Sequence, residues 1–180
     1  MQTVTSEVHL RTEVPGDVDT IRDVIASAFV DHPHSRHTEG QVVDALRRAG
    51  ALALSVVAYR RGQMVGHVAF SPVHIAGGAQ GWCCLAPLSV LPGQQGAGVG
   101  SALVWHGLRT LRQQGAAGVV VFGEPAYFGR FGFRSTPALR LAAARPDCFL
   151  VRPFHRLIPM GAVQLHEAFD LVDPSDWTFP

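Results

Sequence analysis

The sequence contains no lysine, so its 15 lysine-plus-arginine positions are all arginine. A phosphate loop of the Walker type ends in Gly-Lys-Ser or Gly-Lys-Thr, and the absence of lysine excludes that class of nucleotide site. Cysteine is also scarce, since Cys83, Cys84 and Cys148 are the only three. They are too few and too unevenly spaced for a zinc site. Adjacent cysteines rarely form a disulfide, because the ring that the bond would close is strained. We therefore expect reduced thiols and no metal.

Charge is sparse as well, with 16% charged residues and a formal net charge of +1. Nucleic acid and acidic membrane surfaces are therefore not expected partners. No apolar run approaches the roughly 20 residues of a membrane span, and the N-terminal region is acidic where a signal peptide would be basic and then apolar. These absences predict a cytoplasmic protein. At 180 residues and 47% hydrophobic content, one globular domain over residues 1–180 is expected.

Hydrophobic periodicity predicts strands and helices along the whole chain. A helix with Asp17 as its N-cap is predicted to run to about Phe29, because apolar residues recur there at three- and four-residue spacing. Pro87 interrupts an apolar strand, which predicts an edge strand or a bulge, since proline cannot donate to the ladder. The predicted strands are residues 8–12, 52–59, 64–70, 82–90, 119–122, 148–154 and 163–166, and the other predicted helices are residues 42–49 and a helix from about Ser101 to residue 114.

A glycine-rich turn lies between the strand ending at Val90 and the helix starting near Ser101, and its residues Gln95–Gly100 read Q-G-A-G-V-G. Glycine lets the backbone bend sharply and approach a ligand closely. The first N–H groups of the following helix have no partner within it, and the helix dipole adds positive potential there. The turn is therefore predicted to bind an anion such as a phosphate group.

Two other interpretations of this turn stay open. In a dinucleotide-binding fingerprint the third glycine would fall on Ser101, and Leu91–Gln94 would separate the pattern from its strand, so a flavin or nicotinamide site is a weak match. A glycine-rich connection that only caps a helix is the structural alternative. The flanking strand and helix favour the anion site over both.

The run Leu88–Pro92 followed by Q-G-A-G-V-G-S-A-L resembles the acetyl-CoA-binding motif of the GNAT acetyltransferase superfamily. Residues Tyr127–Phe133, Y-F-G-R-F-G-F, are similar to the aromatic segment that GNAT proteins place after the strand following the cofactor helix. Residues Gly66–Val73 and Glu124–Phe133 resemble a branch of predicted N-acetyltransferases. The resemblance covers about residues 7–170 and is strongest over residues 66–133.

The resemblance implies the GNAT fold, of α/β (α+β) class, with a mixed and mostly antiparallel sheet of about six or seven strands flanked by helices. Two parallel strands, Leu85–Val90 and Val119–Phe122, would splay apart to hold the pantetheine arm of acetyl-CoA. The implied reaction moves an acetyl group from the CoA thioester directly to a primary amine of a small molecule or peptide, in a monomer or homodimer. The implied cofactor-binding residues are Leu88, Ser89, Val90, Gln95, Gly96, Gly98, Val99, Gly100, Ser101 and Phe128.

The catalytic residues depart from the pattern of the resembled family. A glutamate on the first splayed strand often serves as base, but Trp82–Val90 contains none. Glu124 is the nearest candidate, with an exposed turn residue as the alternative. The tyrosine that commonly protonates the thiolate should stand five residues before Phe133, where the chain has Phe128. We expect Tyr127, one place earlier, to be the general acid, with aromatic packing as the alternative.

Two further alternatives remain. A chain that binds acetyl-CoA without turnover, as a sensor or interaction module, is favoured by the missing carboxylate. The loop Asp31–Thr38 contains His32, His34 and His37, which are suitable metal ligands, but their spacing matches no standard site. We expect this loop to border the acceptor and its histidines to be solvated.

Overall fold

A computed structural model of the protein describes residues 7–31, 35, 37–142 and 144–171. The strands are β1 (His9–Thr12), β2 (Leu54–Arg60), β3 (Gln63–Pro72), β4 (His74–Ile75), β5 (Trp82–Val90), β6 (Gly118–Phe122), β7 (Arg134–Ser135), β8 (Leu139–Leu141), β9 (Phe149–Pro153) and β10 (Gly161–Gln164). The α-helices are α1 (Val18–Phe29), α2 (Glu39–Arg48), α3 (Val99–Gln113) and α4 (Pro125–Phe128). None of the helices within these ranges is both long and apolar enough to cross a membrane.

Seven strands form the main sheet, in the order β1-β2-β3-β5-β6-β9-β7. Each neighbouring pair is antiparallel except β5 and β6, which are parallel. Successive side chains of a strand face opposite sides of a sheet. Val56 on β2 accordingly packs in the cluster that contains α3, whereas Val57 packs in the cluster that contains α1. The predicted fold class, a mostly antiparallel sheet between helices, is confirmed.

The parallel pair separates soon after it forms. Strands β5 and β6 are paired only at Trp82–Cys84 against Gly118–Val120. Further along β5, Ala86 and Pro87 together stand opposite the single β3 residue Ala69, which makes a bulge. The bulge predicted at Pro87 is therefore confirmed, and the edge-strand alternative is wrong because β5 lies in the middle of the sheet. The remainder of β5 diverges from β6 and leaves a cleft between them.

A second, three-stranded sheet was not predicted, and its order is β4-β10-β8. The segment predicted as a strand over residues 163–166 contributes to it as β10, which begins at Gly161. Strands β4, β7 and β8 have two or three residues each, too few to establish an alternating pattern. They form because partner strands distant in the sequence lie beside them.

Asp17 differs from its predicted role as the N-cap of α1. It occupies the N-cap position, but its side chain makes no capping hydrogen bond to that helix. The carboxylate instead accepts hydrogen bonds from the backbone N–H of Val14, at 2.8 Å, and from Arg11 Nη1, at 2.6 Å. These bonds, led by that from Arg11, hold the pKa of Asp17 well below its ordinary value. Arg11 thus contacts both oxygens of the carboxylate, in the strong bidentate arrangement that arginine forms with carboxylates.

Candidate functional site

The glycine-rich turn connects β5 to α3. Gly96 and Gly98 have φ angles of +72° and +83°, in the left-handed region that favours glycine. Gly98 is the N-cap of α3, so the helix begins at Val99, two residues before the predicted start at Ser101. The turn thus reverses the chain within a few residues and directs the start of α3 toward the end of β5.

The N-terminus of α3 is left without a side-chain cap. The first hydrogen bond within the helix runs from the Ala102 N–H to the Gly98 carbonyl. The N–H groups of Val99, Gly100 and Ser101 therefore have no partner inside the helix. Together with the helix dipole they create positive potential at this point, which suits a phosphate group.

A cavity of about 270 Å³ opens beside this helix start. It is lined by seven of the predicted site residues, namely Leu88, Val90, Gln95, Gly96, Gly100, Tyr127 and Phe128. Leu88 and Val90 lie on the part of β5 that has left β6, so the cavity continues the cleft between the splayed strands. One end of the site is consequently apolar and the other presents backbone N–H groups.

Gly100 leaves space in the cavity that the side chain of any other residue would occupy. A Cβ atom at this position would lie 2.7 Å from the Tyr127 hydroxyl oxygen and 3.6 Å from Val90 Cγ2. At Gly98 no atom lies within 4 Å of the equivalent point, so that glycine is needed for its positive φ. The two glycines therefore serve different purposes, one steric and one conformational.

The other predicted site residues take different positions. The Ser89 and Val99 side chains are buried, Val99 in the core cluster beneath α3, so only their backbone groups are available to a ligand. Ser101 is the third residue of α3 and does not line the cavity. Glu124 is exposed and caps α4, accepting a hydrogen bond from the Ala126 N–H at 3.5 Å. Its carboxylate is likewise not part of the cavity wall.

Tyr127 is half-buried among aromatic side chains at the mouth of the cavity. Its ring centroid lies 4.9 Å from that of Phe128 and 5.4 Å from that of Phe131. The guanidinium carbon of Arg130 lies 4.1 Å from the Tyr127 ring centroid, which is a cation–π contact. These contacts orient the phenol so that its hydroxyl oxygen faces Gly100 at the start of α3.

A sequence model of the acetyltransferase (GNAT) family matches residues 18–133, which contain the cleft, the turn and the aromatic segment. The chain belongs to the GNAT acetyltransferase family.

Relatives of this GNAT chain include the uncharacterized N-acetyltransferase YhbS of Escherichia coli K12. The two are 34% identical over 168 residues, 89% of this chain and 98% of YhbS. A crystal structure of YhbS in complex with CoA has a TM-score of 0.84 at 33% identity, covering 92% of this chain and 93% of YhbS. A GNAT family acetyltransferase from Brucella melitensis, in complex with acetyl-CoA, has a TM-score of 0.82 at 44% identity, covering 92% of this chain and 99% of that one.

A buried polar group lies on strand β3 of the main sheet. His67 is wholly buried, and its Nε2 contacts the Ser55 hydroxyl at 2.8 Å. The Ser55 hydroxyl also donates to Glu13, whose carboxylate accepts two hydrogen bonds from Arg47. A hydrolytic triad requires the histidine between the serine and the carboxylate. Here the serine lies between the other two, so this GNAT chain has no such triad at His67.

Within the described part of the chain, no cluster of three metal-ligating side chains occurs. His32 and His34 lie outside the described residues, as do Pro33 and Arg36 of the loop that was expected to border the acceptor.

Acidification should destabilise the protein through His67. Burial lowers the pKa of His67 from 6.5 to about 4, so the unfolded chain binds a proton that the folded chain excludes. The contribution of His67 to the free energy of unfolding is complete above pH 6.5 and decreases as the pH falls toward 4. At pH 5 the decrease is about 2 kcal/mol. Urea unfolding at pH 7.5 and 5.0 measures this loss. His67→Gln, whose amide can still donate to Ser55, should show a smaller drop between the two pH values.

The exposed His74 provides the control. His74→Gln should leave the pH dependence as it is in the unaltered protein. An equal loss of stability in the His67→Gln variant would assign the pH dependence to other groups.

Proposed function

We propose that this protein is an acetyl-CoA-dependent N-acetyltransferase that acts on the primary amine of a small molecule or peptide. The observation that carries the proposal is the uncapped start of α3 beside a cavity lined by Leu88 and Val90. The N–H groups suit the pyrophosphate of acetyl-CoA, and the apolar end suits the pantetheine arm. Relatives that bind CoA and acetyl-CoA support this assignment.

The reaction proposed is direct acetyl transfer. The neutral amine nitrogen attacks the thioester carbonyl carbon, the C–S bond breaks, and the CoA thiolate leaves with the electron pair. A backbone N–H near Leu88 or Ser89 on the unpaired part of β5 would stabilise the carbonyl oxygen as negative charge develops. The amine loses one proton and the CoA thiolate gains one, so the products are the amide and free CoA thiol.

Tyr127 is proposed to protonate the leaving thiolate. Tyr127 lines the same cavity as Leu88 and Val90, the residues assigned to the pantetheine arm, and no other phenol lines that cavity. Glu124, the other predicted catalytic residue, has less support because its exposed side chain caps α4 outside the cavity. We assign the general acid to Tyr127 and leave Glu124 as the candidate base.

A binding protein without turnover is the second candidate function. It is favoured by one observation, the lack of any carboxylate on β5, whose sequence is W-C-C-L-A-P-L-S-V. Such a protein would bind acetyl-CoA and release it unchanged in the presence of amines.

Turnover with mixed amines separates the two functions. The protein is incubated with acetyl-CoA and pools of small amines and peptides, while free thiol and acetylated products are measured by absorbance and mass spectrometry. We expect thiol release that depends on an amine, with one equivalent of acetylated amine formed for each thiol. Because this chain has no lysine, any acetyl-lysine must come from the acceptor. Acetyl-CoA binding with no thiol release from any pool would favour the sensor.

A further inference from the structure

Arg60, at the end of β2, reaches the glycine-rich turn from the neighbouring part of the sheet. Its Nη1 donates to Gln94 Oε1 at 2.9 Å and its Nη2 to the Ala97 carbonyl oxygen at 3.3 Å. Gln94 precedes the turn and Ala97 lies within it. One guanidinium therefore contacts the chain both before and after Gln95 and Gly96. We propose that Arg60 is a positioning residue that holds this turn in its pyrophosphate-binding shape. This inference rests on the proposed use of acetyl-CoA.

The bond to Ala97 fixes the orientation of one peptide group. In a planar trans peptide the carbonyl and the following N–H point in opposite directions. With the Ala97 carbonyl turned toward Arg60, the Gly98 N–H points to the opposite side of the turn. Ala97 is flanked by Gly96 and Gly98, both in left-handed conformations, so without the bond this peptide group would rotate easily.

Preorganisation makes this bond useful for affinity. Ordering a residue costs conformational entropy, and glycine loses more freedom than other residues. A turn already ordered in the free protein avoids that cost on binding. The Gln95 side chain donates to the Val90 carbonyl at 3.2 Å, so the turn is also attached to the end of β5. Arg60 and Gln95 together restrain it from two directions.

The guanidinium of Arg60 suits the contact with Gln94 and Ala97 better than the ammonium group of a lysine would. A planar guanidinium can donate to two separate acceptors at once, whereas an ammonium group acts as a point charge. Within the described part of the chain no carboxylate forms an ion pair with Arg60. Its positive charge therefore also adds to the potential that attracts an anion to the turn.

The test compares acetyl-CoA with S-acetylpantetheine. The second ligand has the same thioester and arm but lacks the pyrophosphate and the 3′-phosphoadenosine attached to it. In Arg60→Met, we expect the Kd of acetyl-CoA, measured by calorimetry, to rise about 10-fold. The Kd of S-acetylpantetheine, measured by NMR titration, should stay unchanged. Arg60→Lys should fall between the unaltered protein and Arg60→Met, because lysine keeps the charge and loses the two-point contact.

Arg61 is the matched control, since it is the exposed neighbour of Arg60. Arg61→Met should bind both ligands normally. If Arg60→Met fails to fold, Gln94→Leu removes the Nη1 contact and should weaken acetyl-CoA binding alone. Equal weakening of both ligands, or an unchanged acetyl-CoA Kd in folded variants, would overturn the role of Arg60. Failure of the unaltered protein to bind acetyl-CoA would instead refute the proposed function.

Discussion

Replacing Gly100 with valine is expected to weaken acetyl-CoA binding by about 10- to 100-fold, the effect of overfilling a packed site by 1–3 kcal/mol. The added Cβ would stand 2.7 Å from the Tyr127 hydroxyl oxygen and within 4 Å of Val90 and Leu88, all on the cavity wall. Gly100 has no positive φ, so valine fits the local backbone. Helix propensity also favours valine slightly over glycine, and the fold should persist.

Gly40 offers a matched control for this substitution. It is the second residue of α2, as Gly100 is of α3, and nothing lies within 4 Å of its Cβ position. Calorimetric titration of Gly40→Val should give the acetyl-CoA affinity of the unaltered protein. Gly100→Ala should show a smaller loss than Gly100→Val. Unchanged affinity in a folded Gly100→Val variant would remove this cavity from the acetyl-CoA site.

Tyr127→Phe is expected to lower kcat by about 100-fold, the typical effect of removing a positioned general acid. The substitution deletes one oxygen and keeps the ring that packs on Phe128, Phe131 and Arg130. The acetyl-CoA Kd should therefore stay close to that of the unaltered protein. Steady-state kinetics with an acceptor from the amine screen, together with calorimetry, measure the two quantities separately.

Tyr59 is the only other tyrosine in the chain and serves as the control. Its hydroxyl group donates to Asp17 and accepts from Arg11, away from the cavity. Tyr59→Phe should retain normal kcat. If Tyr127→Phe also retains it, the proton reaches the thiolate from water and Tyr127 has only a packing role.

The glycine-rich turn could be predicted from the sequence because its determinants are local. A strand, a short connection that ends in six residues with glycines at fixed positions, and a helix follow one another in the sequence, and Gly96, Gly98 and Gly100 lie where the pattern places them. The sequence left two alternatives for Glu124, a base and an exposed turn residue, because its position depends on where α4 turns away from β6. The different purposes of Gly98 and Gly100 could not be predicted, because only the φ angles and the position of Tyr127 reveal them.

Contacts between distant residues account for most of what the sequence did not predict. Arg60 and Gln94 are 34 residues apart, and Glu13 and Ser55 are 42 apart. No periodic pattern relates such pairs, because strand order brings them together. The family and the fold class are confirmed, whereas the roles of Tyr127 and Glu124 stay predictions.

The two edges of the main sheet limit how copies of this protein can associate. Among the described residues, β7 forms one edge and has only two residues, and β1 forms the other and has four. Short edge strands that carry charge disfavour the addition of strands from another chain. Arg134 on β7 and Arg11 on β1 supply such charges. A homodimer that extends the main sheet across two subunits is therefore not expected.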